Sequence, residues 1–438
     1  MNQDSRSPEP QDGVPSGASD REIAPVPAAP AAASNPGELV VAPEIPTENA
    51  SRTPADVSGA RQMLTGRAAR DLADVSRSPT QLAWRELKKN RLAVWSGVLL
   101  LVLYSIALMA PFLAPYDPQD QVPGTLSSAT FHPPMRLRFR EINGQFHLRP
   151  FVYGTRQGFT PLRDIIYAID PGDVRPLQFF TRGAPYRLFG VIPTSIHLFG
   201  LERGGRILLL GSDEYGRDYL SRLLYGAQIS LSVGLIGISI TFALGMLVGG
   251  IAGYYGGLTD DLIMRGCEVL MSIPDFYLLL ALAAALPATL PPTTVYLLII
   301  IILSFIGWAG MARIIRGMIL SVREREYVEA GRALGLSDLK IITRHVLPST
   351  FTYAIVAATL SVPGYILAEA GLSFLGLGIR DPMASWGNML SAAQNLTTLT
   401  TRPWILAPGV AIFITTLAFN FLGDGLRDAL DPKSRKLG

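Results

Sequence analysis

Six stretches of this sequence are apolar over lengths that no soluble core of this size absorbs: residues 92–113, 229–252, 262–286, 295–312, 351–370 and 405–422. A helix crosses a hydrocarbon core about 30 Å thick with roughly 20 apolar residues. Backbone polar groups find no water there, so each crossing must close its own hydrogen bonds as a helix. The expected fold class is an all-α polytopic membrane protein with six transmembrane helices. Composition agrees, since charged residues make up 17% of the 438, against roughly 25% in soluble domains. The third stretch carries Pro274 and charged residues, and the fifth carries Pro363 and Gly364, so hydropathy defines the ends of these two least sharply.

The charges are arranged by topology. Arg85, Lys88, Lys89 and Arg91 precede the first span, and Arg313, Arg316, Arg323, Arg325, Arg332, Lys340 and Arg344 lie between the fourth and fifth. Basic residues flanking spans mark the cytoplasmic side. With Arg427, Lys433, Arg435 and Lys436 after the sixth, the pattern predicts a multi-pass protein with both termini cytoplasmic. A net charge of +3, with no cluster of bases interleaved with aromatics, excludes a nucleic-acid partner. The one cysteine, Cys267, cannot form an intrachain disulfide and reads as a small apolar helix residue.

Between and before the spans the chain changes character. Residues 1–75 are rich in Pro, Ala, Ser and Gly and cannot offset the entropy of folding, so a disordered cytoplasmic tail is expected. The tail lacks the basic and apolar regions of a signal peptide. Residues 78–116 combine an interfacial helix, with Leu82, Trp84 and Leu87 among bases, and the first span. Residues 117–206 form a polar insert with strand signals, expected as an extracytoplasmic β-rich domain. Within it Asn143-Gly144 fits a type I′ turn that pairs Phe139 with Leu148 and Glu141 with Phe146. That register puts Leu137, Phe139, Phe146 and Leu148 on one half-buried face, with further core around Phe179, Phe180, residues 188–192 and Leu198. Residues 210–432 hold the other five spans, with a cytoplasmic segment at 323–348. In the second span Gly237, Thr241, Gly245, Gly249 and Gly253 recur every fourth residue. Such a strip serves close helix packing or a smooth wall along a passage.

Catalytic equipment is missing. There is no phosphate loop and no Gly-Lys pair, no H-E-x-x-H and no His/Cys cluster, and His132, His147, His197 and His345 all lie outside the spans. The chain is expected to be non-enzymatic, with no cofactor or metal of its own. Three ionisable residues in or near spans still need a reason, because charge at mid-bilayer costs roughly 2.5 to 3.5 kcal/mol. Glu268 and Asp261 flank Arg265 at helical spacing and can pair locally. Asp275, after Pro274, can cap a broken helix or line a polar passage, and Glu369 poses the same choice.

The stretch EYVEAGRALGLSDLKIITRHVLP, from Glu326, reads as a short charged helix ended by Gly335 in the left-handed region, with Ser337 capping a second helix after it. Tyr327, Val328, Ala330, Gly331, Ala333 and Leu334 would give a low-relief surface able to enter a groove on a partner. An amphipathic connecting loop is the plainer alternative.

At these residues the sequence resembles the permease subunits of binding-protein-dependent ABC importers. Their motif runs Glu-Ala-Ala, three residues, Gly, nine residues, then Ile-x-Leu-Pro. Here Glu329, Ala330, Gly331, Gly335 and the run His345, Val346, Leu347, Pro348 match it, with Gly331 for the second Ala and His345 for Ile. LGSDEYGRDYLSRLLYG from Leu210, GYYGG from Gly253, EAGLSFLGLGIRDPMASWGNML from Glu369 and LAFNFLGDGLRDALDP from Leu417 look like the C-type permease of the dipeptide, oligopeptide and nickel branch.

The resemblance implies the type I ABC importer permease fold in a bacterial plasma membrane. It implies four kinds of partner: a homologous second permease subunit, two ATPase subunits that bind ATP and Mg, an extracytoplasmic solute-binding protein and the lipid bilayer. Tyr327, Glu329, Ala330, Gly331, Ala333, Gly335, His345, Leu347 and Pro348 would form the ATPase-coupling surface, and Asp275 and Glu369 the candidate path residues. Short peptides are the expected cargo, carried by alternating access, with nickel or a metal chelate as the alternative. A secondary transporter and a membrane-anchored envelope protein stand as readings of other classes.

Overall fold

The computed structural model describes residues 79–121, 130–161, 165–201 and 205–430. The expected disordered tail, and Lys433, Arg435 and Lys436, lie outside the described residues.

Helix α1, Pro79–Lys89, buries Leu87 against Ala93 and Ala429 and leaves Trp84 exposed beneath the Lys88 ammonium. Asn90 turns the chain by accepting from the Ala93 amide at 3.2 Å, and so caps α2, Arg91–Leu108. A single-turn α3, Ala110–Leu113, comes next.

The insert forms a four-stranded antiparallel meander of β1, Arg138–Arg140, β2, Phe146–Phe159, β3, Ile165–Leu188, and β4, Ile192–Leu201. Its first hairpin departs from the expected register. Arg140 pairs with Phe146 because the turn spans three residues, and a further register shift along the strand pairs Arg138 with Phe151. The Gly144 amide bonds the Glu141 carbonyl and Gly144 takes φ +93°, so the glycine closes a type I turn as a bulge. The apolar face expected there is not half-buried: Phe139 and Phe146 are exposed and Leu148 is 91% exposed. Phe179, Phe180, Phe189 and Val191 are exposed too. The sheet's core is instead Val152, Leu177 and Ile207, with Tyr116, Met135 and Phe199 against them. The sheet rests on the end of α3, where the His197 ring donates to the Ala114 carbonyl at 2.6 Å.

The bundle continues through α4, Tyr219–Tyr255, α5, Gly257–Met271, α6, Asp275–Ala284, α7, Pro292–Val322, α8, Glu326–Ala333, α9, Asp338–Ile341, α10, Leu347–Phe374, and α11, Ala407–Leu430. Among the described residues, five helices are long and apolar enough to cross a membrane, the fourth of them α9 and α10 joined through a π turn at Ile342–Val346. The third expected span is broken: α5 and α6 meet at 77°. Pro274 has no N–H for the ladder and disfavours helix at Ile273. Counting that bent pair gives six. Pro363, by contrast, sits inside a continuous α10.

Helices α4 and α7 overrun the apolar stretches that announced them, because their polar end turns reach past the hydrocarbon. The 37 residues of α4 extend about 55 Å, from the sheet to the opposite end. The glycine strip packs α4 on its neighbours. A Cβ on Gly245 would stand 2.5 Å from Met311 Cβ, one on Gly249 would strike the Ala312 carbonyl, and one on Gly237 would lie 2.7 Å from Tyr365. Lipid is as apolar as a side chain, so such close backbone approach supplies the van der Waals contact that holds these helices.

Candidate functional site

At the end of the bundle away from the sheet, α8 is a two-turn helix with Glu326 and Glu329 in its first turn and Arg332 in its last, each complementing the helix dipole. It ends in a Schellman arrangement. The Leu336 amide bonds the Gly331 carbonyl at 3.2 Å, the Gly335 amide bonds the Arg332 carbonyl at 2.9 Å, and Gly335 takes φ +74°. Ser337 occupies the cap position of α9, but its side chain makes no capping bond; its carbonyl accepts from Lys340 and Ile341 instead.

Helix α8 is two-faced, which divides the residues expected to form one low-relief surface. Val328 and Gly331 point inward, and Val328 packs in a cluster with Ile315, Ile319, Ile341, Ile342 and Val346. Gly331 faces Ile341 at a distance where an alanine Cβ fits, 3.7 Å, so the departure from the family motif costs no contact. Tyr327, Glu329, Ala330 and Ala333 are exposed, and Leu334 is 81% exposed. His345 is half-buried, Leu347 turns in towards Gly250, and Pro348 is exposed.

Sequence reasoning passed over what lies behind this face. The Tyr254 hydroxyl, at the end of α4, donates to Asp338 Oδ1 at 2.7 Å and accepts from Arg332 Nε at 3.2 Å. The Arg332 guanidinium also covers the Tyr254 ring at 5.0 Å. Nearby, Arg316 Nε reaches Asp260 Oδ1 at 2.9 Å, tying α7 to α5. The signal was the GYYGG run, whose first tyrosine is the joint. Of the expected Arg265 trio, only the exposed Arg265–Glu268 pair forms, at 3.4 Å.

Glu369 is fully buried beneath the sheet end. Ser230 Oγ donates to it at 3.0 Å and Ser373 Oγ at 2.7 Å. Those hydroxyls in turn accept the Trp386 and Ile379 amides, so one carboxylate joins α4, α10 and the turn at Trp386. Above it Asp213 and Asp381 hold Arg217 and Arg222, with Arg217 2.6 Å from Asp213 and both arginines within 2.9 Å of Asp381. Burial pushes the Asp381 carboxyl up, but Arg222 and Arg217 together outweigh it and hold it below its ordinary value.

Asp275 stands apart from Glu369. It lines a cavity of roughly 520 Å³ between α6, α7 and α10, shared with Leu303, Gly307, Gly364 and Tyr365. It does not cap α6, whose cap position is Pro274 with no side-chain bond.

Residues 245–436 match the family described as the binding-protein-dependent transport system inner membrane component, and residues 78–134 match the N-terminal TM domain of oligopeptide transport permease C. The dipeptide transport system permease protein DppC of Bacillus subtilis is 36% identical over 361 residues, covering 82% of this chain and 87% of that protein. The chain belongs to the binding-protein-dependent transport permeases. The oligopeptide permease OppC of Haemophilus influenzae is 45% identical over 228 residues, 51% of this chain and 70% of its own length. A glutathione permease, GsiD of Pectobacterium atrosepticum, is 40% identical over 224 residues, 51% of this chain and 72% of its own. As a permease of this family the chain is a multi-pass membrane protein, and the secondary-transporter and envelope-protein readings fall away. The two family matches leave residues 135–244 unassigned, and all four strands lie there.

Proposed function

We propose that this permease forms half of the translocation path of an ATP-driven importer of short peptides. The observation that carries the reading is the two-faced α8, whose small, exposed outer residues are backed by a buried inner row and by Tyr254. A surface that must transmit force needs a rigid back. On this reading Tyr327, Glu329, Ala330, Ala333 and Leu334 meet an ATPase subunit, while Gly331 and Leu347 hold the segment from within and Gly335, His345 and Pro348 shape its exit. Two such ATPases bind ATP and Mg and close, moving α8. The tie to α4 and the continuous α9–α10 rod carry that movement into the spans, opening the path first to one side and then to the other. This chain supplies no catalytic group.

The α8 end then lies in the cytoplasm with both termini, and the sheet lies outside, where its exposed apolar face would meet the solute-binding protein or the second permease. Peptide cargo is favoured by the relatives that carry dipeptide and oligopeptide names. A metal ion is disfavoured because, among the described residues, no three His, Cys, Asp or Glu side chains converge. Uptake by the complete complex in proteoliposomes, with its ATPases and binding protein, tests the reading. Di- to oligopeptides should compete and nickel or its chelates should not. Competition by nickel alone would reject peptide cargo, and uptake without ATP would reject the mechanism.

A further inference from the structure

Asp275 is a carboxylate that the fold leaves unused. It opens α6 at the bend of the broken span, and the residues facing it, Leu303 and Gly307 on α7 and Gly364 and Tyr365 on α10, lie midway along helices long enough to cross the membrane. Charge at that depth is costly and marks pathways or pairs. Yet no described Lys or Arg pairs with Asp275, and its oxygens cap nothing. The dipole of α6 favours a negative group at this position without occupying its oxygens. The rest of the wall is chiefly apolar: Phe276, Leu279, Leu303, Ile306, Leu360 and Leu367. The two other polar side chains on the wall are already engaged, the Tyr365 hydroxyl with Thr241 at 2.5 Å and the Ser361 hydroxyl with the Ala357 carbonyl at 2.8 Å.

We propose that Asp275 is a cation subsite of the passage and takes the α-ammonium of a peptide, whose small side chains lie against the apolar wall. This rests on the importer reading above. A volume of roughly 520 Å³ falls in the range of small-ligand sites and accommodates a peptide of two or three residues. A single carboxylate with no second ligating side chain is poor equipment for a transition metal. One carboxylate facing an ammonium across apolar walls gives the weak, sequence-tolerant hold a path needs, because it reads a group that every free peptide carries. The side-chain ammonium of lysine offers the same chemistry, so the test separates the two.

Gly364 provides the probe, because a Cβ added there meets nothing within 4 Å. In the complete reconstituted complex, with Cys267→Ala leaving no other thiol in this chain and any cysteines of the partner subunits replaced, Gly364→Cys is reacted with a cationic and an anionic methanethiosulfonate reagent. The cationic reagent should react faster. Asp275→Asn should cut that preference about tenfold, and Asp275→Glu should restore it. Trialanine should protect the thiol; N-acetyl-trialanine should not. A preference unchanged in Asp275→Asn would overturn the subsite. Equal protection by N-acetyl-trialanine, or protection only by an N-acetylated lysine peptide, would overturn its assignment to the α-ammonium. Labelling needs neither ATP nor the binding protein, so peptide uptake by the wild-type complex, measured alongside, reports separately on the importer reading.

Discussion

The Tyr254 hydroxyl donates to the Asp338 carboxylate at 2.7 Å, joining the last turn of α4 to the first turn of α9 across 84 positions of sequence. Covalently, α8 is attached only to α7 and α9. Through this bond and the Arg332 contact, it also grips the helix that runs the whole depth of the bundle. Tyr254→Phe removes the hydroxyl and keeps the ring under Arg332. A hydrogen bond to a charged group contributes roughly 1.5 to 3 kcal/mol, less where water reaches it, as at the exposed Asp338. The variant should reach the membrane normally and support ATP hydrolysis, but transport several-fold less peptide per ATP. Proteoliposomes assayed for both quantities check this, and an unchanged ratio would remove Tyr254 from the coupling route.

Gly335 adopts φ +74°, which proline cannot reach, and its amide closes the end of α8. Gly335→Pro should therefore unseat the outer face of α8 while every span remains. Glu329→Lys reaches the same face by charge, placing a cation at a helix N-terminus where an anion is favoured by about 0.3 to 1 kcal/mol. Both variants should insert at wild-type abundance and lose substrate-stimulated ATPase and uptake together. Normal stimulation in either one would contradict the role given to this segment.

The spans were legible because hydrocarbon forces a one-dimensional code: length and apolarity suffice where no side chain has a choice of solvent. Hydropathy counts residues and ignores the hydrogen-bond ladder, so the break of the third span was legible only from Pro274, and its 77° angle not at all. The glycine strip was legible as packing because its spacing is that of a helix face. The division of α8 into inner and outer faces was not read, although Val328 and Gly331 sit three apart, because small residues give periodicity little contrast. Tyr254 and Asp338 were illegible for another reason. Their partnership joins distant positions, and only the fold brings them together. The insert was misread at its hairpin by one residue of turn length, and in a strand one residue exchanges the two faces.

Glu369 accepts the Ser230 and Ser373 hydroxyls in a site with no water-exposed surface. Glu369→Leu would leave Ser230 and Ser373 without that acceptor, and an unmet buried polar group costs about 1 to 3 kcal/mol. Glu369→Gln keeps one oxygen and should cost less. Membrane abundance and thermal stability of the purified complex should fall in the order wild type, Glu369→Gln, Glu369→Leu. If instead both variants are fully stable and differ only in which peptides they carry, Glu369 contacts cargo and its structural role is wrong.

Asp218 caps α4 by accepting from the Ser221 amide at 2.7 Å and hydroxyl at 2.6 Å, while its other oxygen, Oδ1, is buried without a partner. Burial pushes its carboxyl up to about 6, against the opposing pull of the Ser221 bonds. An unfolded aspartate titrates near 3.9, so between roughly pH 4 and 6 the folded protein binds more protons than the unfolded one. Its contribution to stability then rises as pH falls through that window, and above it the ionised form carries a constant cost of about 3 kcal/mol. Asp381 has the opposite sign: its carboxyl is held low, so its contribution is lost only below the ordinary aspartate range, outside this window. Asp218→Asn imitates the protonated side chain and cannot titrate. In detergent its Tm should exceed that of the wild type at pH 8, and the two should converge near pH 4. A gap that stays constant with pH would mean that Asp218 does not hold its proton as this burial requires.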